Sequence, residues 1–274
     1  MTQTQNRSKP SWPVPPGLKD CDEQTKRTTF EQFVGKTNFM LDVSFQPLFT
    51  QLILKELHAR PCARVLDIGC GRGIGRFTEY THVIAAESGE LWGIEPDTTI
   101  QETAGLFHHF QHALLEDAEL PSDYFDVAYA VFVMEHVADP ERFLRTVYRT
   151  LKPGGSFIFL TPNASAFFGW ISRTLNRLKL DEMVLRQIKR APEEHAYHYP
   201  IVSRCNRVRE IDRYAQLIGF LKPEYAFFQF SGTGNYFKGP LKIFYNFLIK
   251  KRRLLNNPKA LDSMVCRLTR PADQ

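Results

Sequence analysis

The sequence predicts an α/β fold, a mostly parallel sheet of seven strands with helices on both faces, and three observations carry that reading. Short apolar runs of strand length alternate with helix-compatible segments through roughly a hundred residues, the pattern of a parallel sheet buried on both sides. The first apolar run, 63–68, leads into a glycine-dense turn, Gly69-Cys70-Gly71-Arg72-Gly73, and then into helix-compatible residues. The chain has 274 residues, 43% of them hydrophobic, enough for one large domain around a real core.

The elements follow in order. Residues 1–26 are rich in Gln, Ser, Lys and Pro with Trp12 as the one large anchor, and are expected to form a disordered tail ahead of a single domain over 27–274. Over 39–60, Leu41, Phe45, Leu48, Leu52, Ile53 and Leu57 recur at helical spacing, and Pro47 kinks or restarts that helix. A helix is expected over 74–87, stopped by Gly89, then a strand over 91–95 and a further helix opened by Pro96 and Asp97. Strands are expected over 107–113 and 125–133, a helix over 139–151, and a fifth strand over 156–161 after the breaker Lys152-Pro153-Gly154-Gly155. Beyond it the pattern reads as amphipathic helix over 167–180, helix over 203–218 ended by Gly219, and strands over 225–230 and 263–269. The link between those two strands is long for a hairpin, and its segment 241–253 is apolar and aromatic apart from a stripe of Lys242, Asn246, Lys250 and Arg253.

Composition excludes several classes. A formal net charge of +5 is too mild for a chain that binds nucleic acid over its whole surface. Cys21, Cys62, Cys70, Cys205 and Cys266 are scattered without a C-x-x-C pair, so neither a zinc site nor a disulfide framework is indicated and a reducing cytosol fits best. No apolar run approaches the ~20 residues of a membrane span, and the first residues lack an apolar signal core. A cytoplasmic protein, at most attached to a membrane surface, is expected.

The chemistry begins at the glycine turn. A dinucleotide fold wants G-x-G-x-x-G, whereas the spacing here is G-x-G-x-G, with Ile74 where the third glycine of that motif would stand counted from Gly69. That weakens a nicotinamide oxidoreductase. Asp67 precedes the turn and Glu95 ends the next strand, and a carboxylate in that position can accept both hydroxyls of a ribose. Loop packing for the glycines and a solvated Glu95 are the plainer alternatives.

The sequence resembles the class I S-adenosylmethionine-dependent methyltransferases, in the broad branch that includes the ubiquinone-biosynthesis-like enzymes. The resemblance rests on Val65-Leu66-Asp67-Ile68-Gly69-Cys70-Gly71-Arg72-Gly73, Gly93-Ile94-Glu95-Pro96, Asp117-Ala118-Glu119-Leu120-Pro121, Phe125-Asp126-Val127, Met134-Glu135-His136-Val137, Leu151-Lys152-Pro153-Gly154-Gly155 and Thr161-Pro162-Asn163, in family order. It implies a Rossmann-like sheet whose last strand is antiparallel, and S-adenosyl-L-methionine as cofactor. It also implies residue roles: Gly69, Gly71 and Gly73 against the methionine part of the cofactor, Asp67 near its ammonium, Glu95 on the ribose, Asp117 on the adenine amino group and the Ala118 N–H on the ring. A turn-capping Asp117 is the alternative.

Methyl transfer asks the enzyme chiefly to align a nucleophile and exclude water, and a hydroxyl acceptor also needs a base. His136, just after the fourth strand, and His195, in Glu193-Glu194-His195-Ala196-Tyr197-His198-Tyr199, are the candidates; the resemblance places His195 near a histidine position of this branch. Packing or capping at His136 and a solvated loop at His195 are the alternatives. Related quinone O-methyltransferases carry a Glu-x-x-Glu-His metal pattern here, but Phe132 occupies the first Glu position, so no metal is expected. A fold retained as a non-catalytic interaction module is the second rival.

Insertions at about 162–200 and 231–260 carry the clues to the acceptor. The first holds Arg173, Arg177, Lys179, Arg186, Lys189 and Arg190 against Asp181 and Glu182; the second holds Lys238, Lys242, Lys250, Lys251, Arg252 and Arg253. Aromatics accompany both. Such segments suit an anionic membrane surface or an amphiphilic substrate such as a lipid, a quinone precursor or a lipid-linked sugar; an ordinary lid with solvated charges is the alternative, and nucleic acid is a weak option.

Overall fold

The computed structural model describes residues 44–103, 105–166, 200–229, 240–254 and 261–273. The expected tail, the start of the 39–60 helix, the 167–180 segment and the His195 cluster lie outside the described residues.

Helix α1, Phe45–His58, begins just ahead of Pro47, which sits in the first turn where its missing N–H costs nothing. Its Leu48, Phe49, Leu52, Ile53 and Leu57 are buried at helical spacing, each worth roughly 1.5–3 kcal/mol relative to exposure. Strand β1, Arg64–Ile68, follows, then helix α2, Thr78–Glu87. That helix starts four residues later than periodicity predicts, because Gly75 and Arg76 both take positive φ (+63° and +69°) and break any helix begun at Ile74.

Strand β2, Glu90–Ile94, is not followed by the helix expected from Pro96 and Asp97. The Asp97 carboxylate instead accepts the N–H and the hydroxyl of Thr99, at 2.7 and 2.8 Å, and closes a tight turn. Strand β3 is only His109–Gln111, since the Phe107 ring is used as packing against Gly93, where a Cβ would lie 2.8 Å from it. Strand β4, Phe125–Val131, starts as expected but stops two residues short of 133, where Phe132 takes a positive φ, and helix α3, Pro140–Thr150, lies within one residue of expectation at each end. Asp139 caps α3 by accepting the Arg142 N–H at 3.1 Å, with Pro140 at the first helical position.

Strand β5, Leu151–Pro162, runs through the Lys-Pro-Gly-Gly breaker rather than starting after it. A register shift between Phe125 and Val127 absorbs the extra residues. Helix α4, Val208–Ile218, ends at Gly219 with φ +104° as expected, but begins five residues late because Ser203 takes φ +53°, in a turn whose Val202 and Ser203 N–H groups bond to the Glu135 carbonyl. Strand β6, Glu224–Phe228, helix α5, Pro240–Leu254, and strand β7, Ser263–Thr269, complete the described chain.

The sheet has seven strands in the order β3-β2-β1-β4-β5-β7-β6. Strands β1 to β5 pair in parallel, and β7 is antiparallel to both β5 and β6, so β6 runs parallel to β5. One core lies between the sheet and α3 and α4, with Leu144, Val147, Ile211 and Ala215 fully buried; the other lies under α1 and α2, with Phe49, Ile53 and Ile84. The chain leaves β1 for β2 on one side and returns to β4 on the other. That switch point opens a crevice at the carboxyl edge, where ligands bind in such sheets.

Candidate functional site

A cleft of about 680 Å³ opens at this crevice and is lined by the glycine turn, the ends of β2 and β4 and the segment that follows each. The turn shapes its floor. Gly69 and Cys70 both donate N–H bonds to the Ile94 carbonyl, at 2.8 and 3.1 Å, which ties the turn to β2. At Gly73, with φ +89°, a Cβ would lie 2.7 Å from the Thr78 Cα and 2.8 Å from the Phe77 carbonyl oxygen, so only glycine lets α2 start here.

Among the described residues four carboxylates line the cleft, Asp67, Glu95, Asp97 and Glu116, and the first two flank the glycine turn. Parallel register sets Asp67 beside Tyr129, and the tyrosine hydroxyl donates to Asp67 Oδ2 at 2.7 Å. Burial pushes the Asp67 carboxyl up to about 7, against the pull of that hydrogen bond and with some help from Glu95. Glu95 directly follows β2 and is clamped by two backbone donors, Gly71 N–H to Oε2 at 2.8 Å and Asp97 N–H to Oε1 at 2.9 Å. Burial holds Glu95 above the usual carboxylate range while those donors pull it back.

This pair fits an adenosylmethionine. Among the described residues no cationic side chain offsets the buried Asp67 carboxylate, and an ammonium would do so. Glu95 spends one lone pair per oxygen on backbone N–H groups, leaving acceptor capacity for two ribose hydroxyls. Ile94, Leu114, Leu115, Val137 and Phe143 supply an apolar wall for a flat base.

The other expected site residues divide. Gly69, Gly71 and Gly73 line the cleft with Asp67 and Glu95, and so does His136. The carbonyl of Pro200 lies 3.3 Å from His136 Nδ1; since a carbonyl only accepts, that contact favours the tautomer protonated on Nδ1. Asp117 and Ala118 do not line the cleft; their neighbours Leu115 and Glu116 do. Asp117 stands on a short 3-10 turn, Leu115–Asp117, and turns outward to accept from Arg142 at 2.6 Å in a half-exposed ion pair, while the Ala118 N–H is directed to the Leu115 carbonyl. His195 falls outside the described residues.

Sequence reasoning missed Tyr129, hidden inside an apolar strand, because its role appears only when β1 and β4 are set side by side. It also missed Phe45, which packs edge-on against Phe132 with ring centroids 5.1 Å apart at the cleft. Phe132 takes φ +57° at the end of β4, costly for a bulky residue and held by its N–H bond to the Leu160 carbonyl at 2.8 Å. Glu135, next to His136 but outside the cleft lining, accepts the Thr161 hydroxyl at 3.1 Å and is pushed by burial to about 7. Among the described residues no three His, Cys, Asp or Glu side chains gather as a metal site.

A family model described as a methyltransferase domain matches residues 37–227, more than half of the sequence. The chain belongs to this methyltransferase family. It is similar to the ubiquinone/menaquinone biosynthesis C-methyltransferase UbiE of Vibrio vulnificus, 34% identical over 141 residues that cover 48% of this chain and 54% of that protein. It is also similar to the ubiquinone biosynthesis O-methyltransferase of Ruegeria pomeroyi, 38% identical over 112 residues, 38% of this chain and 44% of the relative. The chain therefore spans about half the length of the curated relatives it matches. Among solved structures, the YcgJ protein of Bacillus subtilis superposes with a TM-score of 0.50 at 18% identity, covering 82% of this chain and 98% of that one. A phosphoethanolamine N-methyltransferase of Haemonchus contortus in complex with S-adenosylhomocysteine gives 0.50 at 16% identity, with 82% and 52% covered. These likenesses show the class I methyltransferase fold, whose methyl donor is S-adenosyl-L-methionine.

Proposed function

We propose that the protein transfers a methyl group from S-adenosyl-L-methionine to an oxygen of a small or amphiphilic acceptor, such as a lipid, a quinone-like ring or a lipid-linked sugar. The observation that carries this reading is the convergence of Asp67, Glu95 and His136 on one cleft. Asp67 holds the ammonium and Glu95 the ribose, each kept in place by protein donors. Bound there, the donor supplies a methyl group on a positively charged sulfur. His136, with Nδ1–H turned to the Pro200 carbonyl, takes the acceptor's hydroxyl proton on Nε2. Phe45 and Phe132 form an apolar wall that keeps water from the reacting centre. The similarity to quinone-pathway methyltransferases supports a ring or isoprenoid acceptor.

Calorimetry with S-adenosylhomocysteine and with NAD tests the donor; binding of NAD alone overturns the reading. With polyprenyl phenols and catechols as acceptors, His136→Gln is expected to lower turnover about 10²–10⁴-fold and to leave S-adenosylhomocysteine affinity unchanged. Unchanged turnover would remove His136 as the base.

A further inference from the structure

Helix α5 is the element that methyl transfer leaves unexplained. Its Tyr245 is buried, and its hydroxyl donates to Asp262 Oδ2 at 3.1 Å. The Gln229 amide donates to both Tyr245 and Asp262. Gln229 follows the last residue of β6 and Asp262 precedes the first of β7, residues that pair with each other as Phe228 and Ser263. Ser263 also pairs with Pro162 at the end of β5. This buried polar cluster therefore pins α5 to the carboxyl edge of the sheet, the edge on which the cleft opens.

The opposite side of the helix is built for something else. At ~100° per residue, Ile243 and Phe247 stand one turn apart on the face directly away from Tyr245, with Lys250 on one flank and Phe244 and Lys251 on the other. Ile243 is 73% exposed, Phe247 60% and Phe244 50%, and Lys242, Lys250 and Lys251 are exposed beside them. The helix sequence adds Arg252 and Arg253 and holds no acidic residue. No helix among the described residues is long and apolar enough to cross a membrane.

We propose that α5 is a membrane-docking helix that lies in the plane of an anionic bilayer surface. Ile243 and Phe247 enter the boundary between headgroups and acyl chains, while Lys250 and Lys251 reach the lipid phosphates. A second copy of the chain is a poor occupant of this face: it would bring two sets of lysines together with no carboxylate on either helix to answer them. A neutral apolar partner would leave the lysines without a counterpart. Docking turns the carboxyl edge, and with it the cleft mouth, toward the bilayer; that an amphiphilic acceptor then reaches the cleft from the membrane rests on the methyl-transfer reading.

Flotation of the full chain tests it, using vesicles of phosphatidylcholine alone and of phosphatidylcholine with phosphatidylglycerol. The expected result is flotation with the phosphatidylglycerol vesicles only, weakened by salt. Lys250→Gln with Lys251→Gln is expected to lower vesicle partitioning roughly 25-fold, and Phe247→Ser about 10-fold. Both variants change exposed side chains and are expected to bind S-adenosylhomocysteine as the parent does, which separates lost docking from lost folding. Failure to float with anionic vesicles, flotation of the variants equal to the parent's, or a dimer in sedimentation that Phe247→Ser dissolves would each overturn the proposal. Flotation without S-adenosylhomocysteine binding would overturn the methyl-donor reading while supporting docking.

Discussion

Two buried carboxylates at the carboxyl edge of the sheet, Asp67 and Glu135, are pushed by burial to about the same value, near 7, yet they are placed differently. Asp67 opens onto the cleft, steadied by one hydroxyl from Tyr129, and its burial is answered when a cation arrives. Glu135 is buried outside the cleft lining; its side chain takes the Thr161 hydroxyl and its carbonyl takes the N–H groups of Val202 and Ser203. On the proposed function the first binds the ligand's ammonium, which would recover its cost; the second is a clasp that fastens the segment before α4 to the ends of β4 and β5. Equal burial thus leads to different outcomes, and what separates them is access to the cleft.

The cofactor side should be the more easily broken. Gly73→Ala places a Cβ against backbone atoms of Phe77 and Thr78 at a φ of +89°, so the start of α2 has to move. S-adenosylhomocysteine affinity is expected to fall at least ~100-fold and stability by roughly 2–4 kcal/mol, measured by calorimetry and denaturant melts. Retained affinity would mean that the turn does not carry the ligand.

Protonation sharpens the contrast. Asp67 must be ionised to hold an ammonium, and its carboxyl titrates near 7 in the ligand-free protein. Affinity for S-adenosylhomocysteine is therefore expected to rise about tenfold per pH unit from 5 to 7 and then level; Asp67→Asn should flatten that slope.

Glu135 acts on stability instead. Its folded value lies above its unfolded value, from 4.5 to about 7, so the folded state holds the extra proton between them. The sign follows: stability from this group is present below the unfolded value and is lost as pH rises through 7. Glu135→Gln, which stays neutral, is expected to raise the Tm at pH 8 by roughly 3–6 °C and to change it little at pH 4. Equal shifts at both values would show that charge is not the cause.

The smallest effect belongs to Asp117. Its half-exposed pair with Arg142 is worth about 0–1 kcal/mol, and it stands outside the cleft lining. Asp117→Ala is expected to change S-adenosylhomocysteine affinity less than ~threefold; a larger loss in titration would bring it back to the adenine.

The fold was legible because its signals are local. Strand runs such as Val65-Leu66-Asp67-Ile68 are buried on both faces and read as apolar, and the caps Asp139 and Gly219 act within one turn of themselves. The boundaries that moved were decided by competition between neighbours: Thr99 bonding to Asp97 removed a helix, and the positive φ of Ser203, in the turn bonded to the Glu135 carbonyl, delayed another. Such contests turn on local geometry that periodicity does not contain.

The candidate site divides the same way. By itself the sequence determined the glycine turn and the two carboxylates Asp67 and Glu95, because each lies at the end of a strand whose position the apolar pattern sets. Only the tertiary structure decided that Tyr129 holds Asp67, that Asp117 turns out to Arg142 and that Phe45 closes on Phe132. It also decided which face of α5 is pinned by Tyr245 and which stays exposed. The reason is physical: a strand register or a buried polar cluster joins residues far apart in the chain, and their meeting is fixed by packing rather than by spacing.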